Sequence, residues 1–259
     1  MPAPMKLVTW NVNSIRQRGE RLLAFLARHD PDVVCLQETK VADGDFPAEA
    51  LRAAGYGAVT LGQKGYNGVA ILAKAKLTDV RAGFCDGGDD VQARFLGATV
   101  AGVQVFTAYA PNGQSVGSEK YAFKLDWFAR LRKYLEREAD PARELALGGD
   151  FNVAPGDLDV HDPLQWRGEI MCSDAERAAL ADVERWGLVD SFRAKYPDKV
   201  AFTWWDYRML GFPKNRGLRI DHVLVTRPLL ARVQDVAIDR DERKGKGASD
   251  HAPVLAQLS

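Results

Sequence analysis

Cysteine is nearly missing from this chain: Cys35, Cys85 and Cys172 are its three, scattered, odd in number and without metal-ligand spacing. That excludes a disulfide framework or a thiol-bound zinc site as the organising device, and fits small core hydrophobes or incidental thiols in a reducing compartment. Net charge is missing too, since 35 Lys and Arg balance 35 Asp and Glu. Bulk attraction to a polyanion is therefore not encoded, although a local basic face stays open where carboxylates gather in a pocket. No apolar run reaches the length of a membrane span. The opening Met1-Pro-Ala-Pro-Met-Lys6 leaves too little room before Asn11 for the apolar region of a signal peptide. No low-complexity linker or compositional break divides the 259 residues, so one domain over 1–259 is expected. With 46% apolar residues a substantial core is available, and the expected setting is soluble and cytoplasmic.

What is present is organised around Leu145-Ala-Leu-Gly-Gly-Asp-Phe-Asn152. A short apolar run, right for a buried strand, stops at two glycines and then presents a carboxylate and a carboxamide two residues apart. In extended backbone, residues i and i+2 point to the same side, so Asp150 and Asn152 can converge on one small target. Gly148 and Gly149 are expected to permit unusual backbone angles and to leave room for a ligand.

Other apolar segments end in the same manner. Lys6–Trp10 reads as a strand stopping at Asn11-Val-Asn13, after which Ser14 is expected to cap a helix with Ile15, Leu22, Phe25 and Leu26 at helical spacing. Asp32–Leu36 reads as a second buried strand ending at Gln37-Glu38-Thr39. Further on, Phe95–Val100 and Val103–Tyr109 form a hairpin pattern ending at Tyr109-Ala-Pro-Asn112. Ser118 is placed to cap a long helix whose expected apolar face is Tyr121, Leu125, Phe128, Leu131 and Leu135. Ser173-Asp-Ala-Glu176 is a capping box. An aromatic, basic loop opens at Phe202 and runs through Arg216. Leu218–Val225 is expected as a strand carrying Asp221, and Ser249-Asp-His251 precedes a last strand at Val254–Leu258.

Collected, the groups at these ends are Asn11, Asn13, Glu38, Tyr109, Asn112, Asp150, Asn152, Asp221, Asp250 and His251. Carboxylates and amides with one histidine and one tyrosine suit neither thiol nor serine nucleophile chemistry. They do suit a hard cation, because Mg²⁺ takes oxygen ligands and keeps several waters. With a group to activate water, the natural reaction class is metal-assisted phosphodiester hydrolysis.

The stretches Trp10-Asn-Val-Asn13, Leu36-Gln-Glu-Thr-Lys40, Tyr109-Ala-Pro-Asn112, Gly149-Asp-Phe-Asn152, Gly217-Leu-Arg-Ile-Asp221 and Ser249-Asp-His251 occur in one order. In that order the chain resembles the exonuclease III family of apurinic/apyrimidinic endonucleases over essentially its whole length. The resemblance implies an α/β fold, a four-layered sandwich of two packed mixed β-sheets flanked by helices, with the site at one edge. It implies Mg²⁺, or Mn²⁺, held by Glu38 with Asn11 and Asp250 nearby and Asp150 and Asn152 adding oxygens. Asp150 is expected to orient or deprotonate the attacking water, Asn152 to fix its position, and His251 to bind the scissile phosphate, oriented by Asp221. Tyr109 donates to the phosphate or sits charged beside it, and Asn13 and Asn112 help hold it. Whether Asp150 or His251 accepts the proton stays open. Trp204, Leu218 and Ile220 are expected to line a pocket for an abasic sugar. Lys64, Arg94, Arg208 and Arg216, with Lys120, Lys214 and Lys244, are candidates for DNA backbone contacts.

The implied partner is double-stranded DNA with abasic sites or blocked 3′ ends, met by a monomer at the nucleoid. The implied reaction is hydrolysis 5′ to abasic sites, with 3′-end cleaning and 3′→5′ exonuclease action. Two alternatives remain: another phosphodiesterase or non-specific nuclease of the superfamily, and a nucleic-acid-binding regulator that lost catalysis. The second is expected to lack one of Glu38, Asp150, Asn152, Asp221 or His251, and none is missing.

Overall fold

The computed structural model describes residues 3–88 and 92–259; Met1 and Pro2 of the opening segment lie outside them. In chain order the main elements of the first half are β1 (Met5–Asn11), α1 (Ile15–His29), β2 (Val33–Gln37), α2 (Ala48–Ala53), β3 (Gly57–Leu61), β4 (Val69–Ala73), β5 (Leu77–Ala82), β6 (Phe95–Val100) and β7 (Val103–Tyr109). The second half adds α3 (Glu119–Glu138), β8 (Leu145–Asp150), α4 (Asp174–Arg185), β9 (Leu188–Asp190), α5 (Ser191–Lys195), β10 (Asp221–Thr226), α6 (Arg227–Leu230), β11 (Val233–Ile238) and β12 (Val254–Leu258). They build two six-stranded mixed sheets, β11-β12-β1-β2-β4-β3 and β5-β6-β7-β8-β10-β9.

The period-two alternation of buried strands accounts for the layering. On β1, Leu7 faces the second sheet, while Val8 and Trp10 face the α1 side with Ile15, Leu22 and Phe25. On β8, Ala146 faces the first sheet, while Leu145 and Leu147 meet Phe128, Leu131 and Leu135 of α3. Three apolar layers, one between the sheets and one under the helices on each outer face, make the expected four-layered sandwich. The same parity carries Asn11, Gln37, Tyr109, Asp150 and Asp221 to the inter-sheet face at the strand ends. Register then lines them up: Asn11 is opposite Gln37, Tyr109 opposite Asp150, and Asp150 opposite Asp221.

Several local expectations are corrected. Gly148 and Gly149 lie inside β8 with no left-handed backbone, and their missing side chains serve sheet packing rather than a ligand. A Cβ on Gly149 would lie 2.2 Å from the Ala108 carbonyl oxygen. Ser14 occupies the N-cap of α1 without a side-chain cap. The start of that helix is tied to the end of β2 instead, Ser14 N–H donating to the Glu38 carbonyl (2.7 Å) and Ile15 N–H to that of Thr39 (3.1 Å). In α3, Leu125 is only half-buried, and Lys124 and Trp127 occupy the buried face instead. Strand β10 begins at Asp221, so Leu218 and Ile220 precede it. Ser118 and the Ser173–Glu176 box cap α3 and α4 as expected.

Candidate active site

At the open end of the inter-sheet gap, backbone geometry is unusual. Asn13, Glu38, Lys40 and Asn152 take φ of 44°, 52°, 56° and 51°. Left-handed backbone at residues other than glycine concentrates where surrounding structure dictates side-chain placement.

Asp150 and Asp221 are directly opposed on β8 and β10, an unfavourable like-charge pair unless something lies between. His251 supplies that. Its Nδ1 lies 2.9 and 3.1 Å from the two oxygens of Asp221, and its Nε2 is 3.7 Å from Oδ2 of Asp150. Burial works against a charge on this imidazole, but Asp221 and Asp150 outweigh it and push its pKa up to about 10. Asp150 is pushed up to about 7, chiefly by burial and further by Asp221, against the attraction of His251. At neutral pH the trio is an imidazolium between two carboxyl groups. Asp221 is held from behind: its N–H and that of Ile220 both donate to the Thr203 hydroxyl, at 3.1 and 3.0 Å.

Asn11 crosses between the sheets. Its amide nitrogen donates to Glu38 (2.8 Å) and to Oδ2 of Asp150 (2.9 Å), while its oxygen accepts from Asn13 N–H (2.9 Å). Burial alone raises the Glu38 carboxyl, but Lys40 and the Asn11 amide hold it below the usual range. The ammonium of Lys40 is 2.7 Å from Glu38 and 2.5 Å from the Asn13 oxygen. Asn152 N–H donates to Asp150 (2.9 Å), and its side chain is fixed between Asn112 (3.2 Å) and the Ala110 carbonyl (3.0 Å). Burial, together with Glu38 and Asp150, lifts Tyr109 well above the ordinary phenol range, which favours the donating hydroxyl of the two expected roles.

Among the described residues, Glu38, Asp150 and His251 bring ligand atoms within 4.8 Å of one another. The two carboxylates fit a hard divalent cation, whereas His251, charged between Asp221 and Asp150, has no free lone pair to offer it in that state. In the wider expected ligand set, the Asn11 oxygen accepts from Asn13 N–H, the Asn152 oxygen from Asn112, and the two Asp250 oxygens from Asn13 (2.9 Å) and the Trp204 indole (3.0 Å). Both Asp150 oxygens likewise accept, from Asn152 N–H and Asn11, and each of these oxygens keeps a lone pair for a cation.

The expected sugar pocket also changes. Leu218 and Ile220 are 0% and 1% exposed, packed with Ala154, Val160, Met171 and Cys172, and offer no free wall; only half-buried Trp204 borders the site. Of the basic candidates, Arg94 lies over the Tyr109 ring at 4.5 Å and, with Asn112 and Lys120, lines a cleft of about 550 Å³ beside the site. Lys64, Arg208, Lys214 and Arg216 are exposed, and Lys244 is paired with Asp241 at 2.6 Å. Two residues carry more of the site than their sequence context suggests: Lys40, two positions from Glu38, and Lys124, hidden in the apolar face of α3. Only the first had a signal, lying within the quoted Leu36–Lys40 stretch.

The fold and this constellation define a class before any comparison does: an α/β sandwich carrying an acidic, imidazole-containing hydrolytic site. A model of the endonuclease/exonuclease/phosphatase family matches residues 8–251. Exodeoxyribonuclease III of Haemophilus influenzae is 40% identical, aligning 98% of this chain with 100% of its own. Two solved structures are similar throughout. A 3′ phosphatase from Neisseria bound to a product DNA hairpin has a TM-score of 0.96, 41% identity, and coverage of 98% and 99%. An AP endonuclease from Archaeoglobus fulgidus has a TM-score of 0.95, 36% identity, and the same coverage. The chain belongs to the endonuclease/exonuclease/phosphatase family, in its exonuclease III branch of nucleases.

Proposed function

We propose that this nuclease is a Mg²⁺-dependent DNA repair phosphodiesterase, Mn²⁺ serving as a substitute. It cleaves duplex DNA 5′ to abasic sites and trims blocked or free 3′ ends, acting as a monomer on nucleoid DNA in the cytoplasm. The observation that carries this reading is His251, locked through Nδ1 by Asp221 so that Nε2 faces Asp150 across the mouth of the inter-sheet gap.

In this arrangement the imidazolium and the neutral Tyr109 hydroxyl donate to non-bridging phosphoryl oxygens, where negative charge grows in the transition state. Asp150 takes the proton of the attacking water, its two oxygens aimed into the gap by Asn152 N–H and the Asn11 amide. Water oxygen bonds to phosphorus, the P–O3′ bond breaks, and O3′ takes a proton from solvent to leave as the 3′ hydroxyl, while Asp150 returns its proton to solvent. Asn152 and Asn112, held as a pair beside Asp150, restrict where that water sits. Glu38 and Asp150 would hold the cation, which supplies Lewis-acid polarisation of the phosphate. Arg94 and Lys120 border the strand path.

The burial of Leu218 and Ile220 favours a second reading, in which 3′-end removal dominates and abasic incision is slow. The relatives named above include both a 3′ phosphatase and an AP endonuclease.

The test compares three duplex oligonucleotides, one with an internal abasic analogue, one with a 3′ phosphate and one undamaged, with Mg²⁺ and with a chelator. Metal-dependent cutting just 5′ to the lesion, lost in His251→Ala and reduced at least about 10²-fold in Asp150→Asn, is the expected result. Removal of the 3′ phosphate without incision selects the second reading. Indifferent cutting of all three moves the chain to a general nuclease, and binding without cutting to a regulator.

A further inference from the structure

Lys124 lies in the second turn of α3, 0% exposed, on the face that otherwise buries Trp127, Phe128 and Leu131. An ammonium is costly there unless every donor is satisfied. Its three donors meet three acceptors: the carbonyl of Asn152 (2.7 Å), the carbonyl of Asn112 (3.2 Å) and a carboxylate oxygen of Glu176. The two carbonyls belong to the residues whose side chains bond to each other beside Asp150.

We infer that Lys124 is a positioning residue for the phosphodiester cleavage proposed above, its ammonium setting the backbone of Asn152 and Asn112 and through it the place of Asn152 beside Asp150. The inference rests on that reading of the site. Asn152 is held in left-handed backbone at φ 51°. Its N–H is directed at Asp150 and its carbonyl at Lys124, so both of its peptide planes are anchored. Glu176, itself 0% exposed, is anchored in turn. It accepts from Met171 N–H (3.0 Å), Ser173 N–H (3.1 Å) and the Ser173 hydroxyl (2.6 Å) as part of the α4 capping box. The cap of α4, Glu176 and Lys124 thus form a continuous polar connection to the turn that carries Asp150 and Asn152. An apolar residue at position 124 would fill the helix face equally well, but only a charged donor can hold two carbonyls and a carboxylate together.

The test is a double-mutant cycle in the incision and 3′-phosphate assays with the full chain. Lys124→Gln should lower kcat by about 10- to 100-fold with KM changed less than about threefold, because misplacement near 1 Å costs on the order of 10²-fold. In an Asn152→Ala background, Lys124→Gln should have little further effect, a coupling that a purely structural role does not produce. Glu176→Gln, which keeps both carbonyl bonds to the ammonium, should lower the melting temperature while kcat stays within about threefold of the parent. Equal fold-losses in both backgrounds, parent-like kcat in Lys124→Gln, or a kcat loss in Glu176→Gln matching that of Lys124→Gln would each overturn the inference. If Lys124→Gln does not fold, the pair Lys124→Gln/Glu176→Gln, which leaves no buried charge, is judged by the same criterion. A parent protein that cuts nothing sinks the reading of the site. A parent that cuts while Lys124→Gln cuts equally well sinks the positioning role alone.

Discussion

Asp221 shows how much one buried carboxylate decides. It opposes Asp150 across the ladder, has His251 as its one ion-pair partner among the described residues, and fixes which imidazole nitrogen faces the gap. Replacing it with asparagine removes the first of the attractions that hold the imidazolium. In Asp221→Asn the His251 pKa should fall from about 10 toward neutrality, followed by NMR of the ring, and kcat should drop by about 10²-fold or more. The sign for stability follows from a raised folded pKa. The contribution of His251 is fully present below its ordinary value near 6.5 and is lost as pH rises through about 10, so the parent should lose stability across that window and the variant should lose less. An unmoved His251 titration in the variant would show that Asp221 does not control the ring.

At the scale of elements, α4 carries a second titration. Glu184 is pushed up to about 7, chiefly by burial and then by Asp190, against the pull of Arg219. A carboxyl raised on folding stabilises the protein below its unfolded value and loses that contribution as pH climbs through about 7. Glu184→Gln should therefore be more stable than the parent by about 1–3 kcal/mol at pH 8, with the difference closing below about pH 4.5. Urea unfolding at pH 5 and pH 8 measures it; an equal difference at both would exclude Glu184 as the titrating group. Elements also mark the reach of sequence patterns. The hairpin of β6 and β7 was legible to the residue because its apolar residues alternate and its turn is Ala101-Gly102. Strand β5, Leu77–Ala82, was not: it is almost wholly exposed, and pairing with β6 rather than burial makes it a strand. Three-residue β9 is likewise defined by its partner β10.

For the whole molecule, the zero net charge sets an electrostatic expectation. Attraction to DNA has to come from cations on the site face, so affinity should depend on salt through a countable set of contacts. Each phosphate neutralised contributes a slope of about −0.9 in log K against log salt. Lys64→Ala/Arg216→Ala should make the slope shallower by about 2 in anisotropy titrations on duplex DNA with the metal chelated. A slope equal to that of the parent would make both residues solvated surface charges.

The chain by itself determined the chemistry on offer and its end of the molecule. Short apolar runs with period-two alternation specify buried strands, and polar residues at their ends fall on one face by parity, as Asn11, Tyr109 and Asp150 do. These are local properties, readable over a handful of residues. Tertiary structure decided which partner each polar atom is spent on. Asn11 reaches Asp150 from 139 residues away, and the two Asp250 oxygens hold the Asn13 amide and the Trp204 indole. Leu218 and Ile220 close over a core where a pocket was expected, and Gly149 admits the Ala108 carbonyl rather than a ligand. Lys124 sits in an apolar helix face because two carbonyls and a carboxylate from distant segments meet its ammonium there. A desolvated charge is tolerated only where all its partners converge, and that convergence exists only once the sheets and helices have packed.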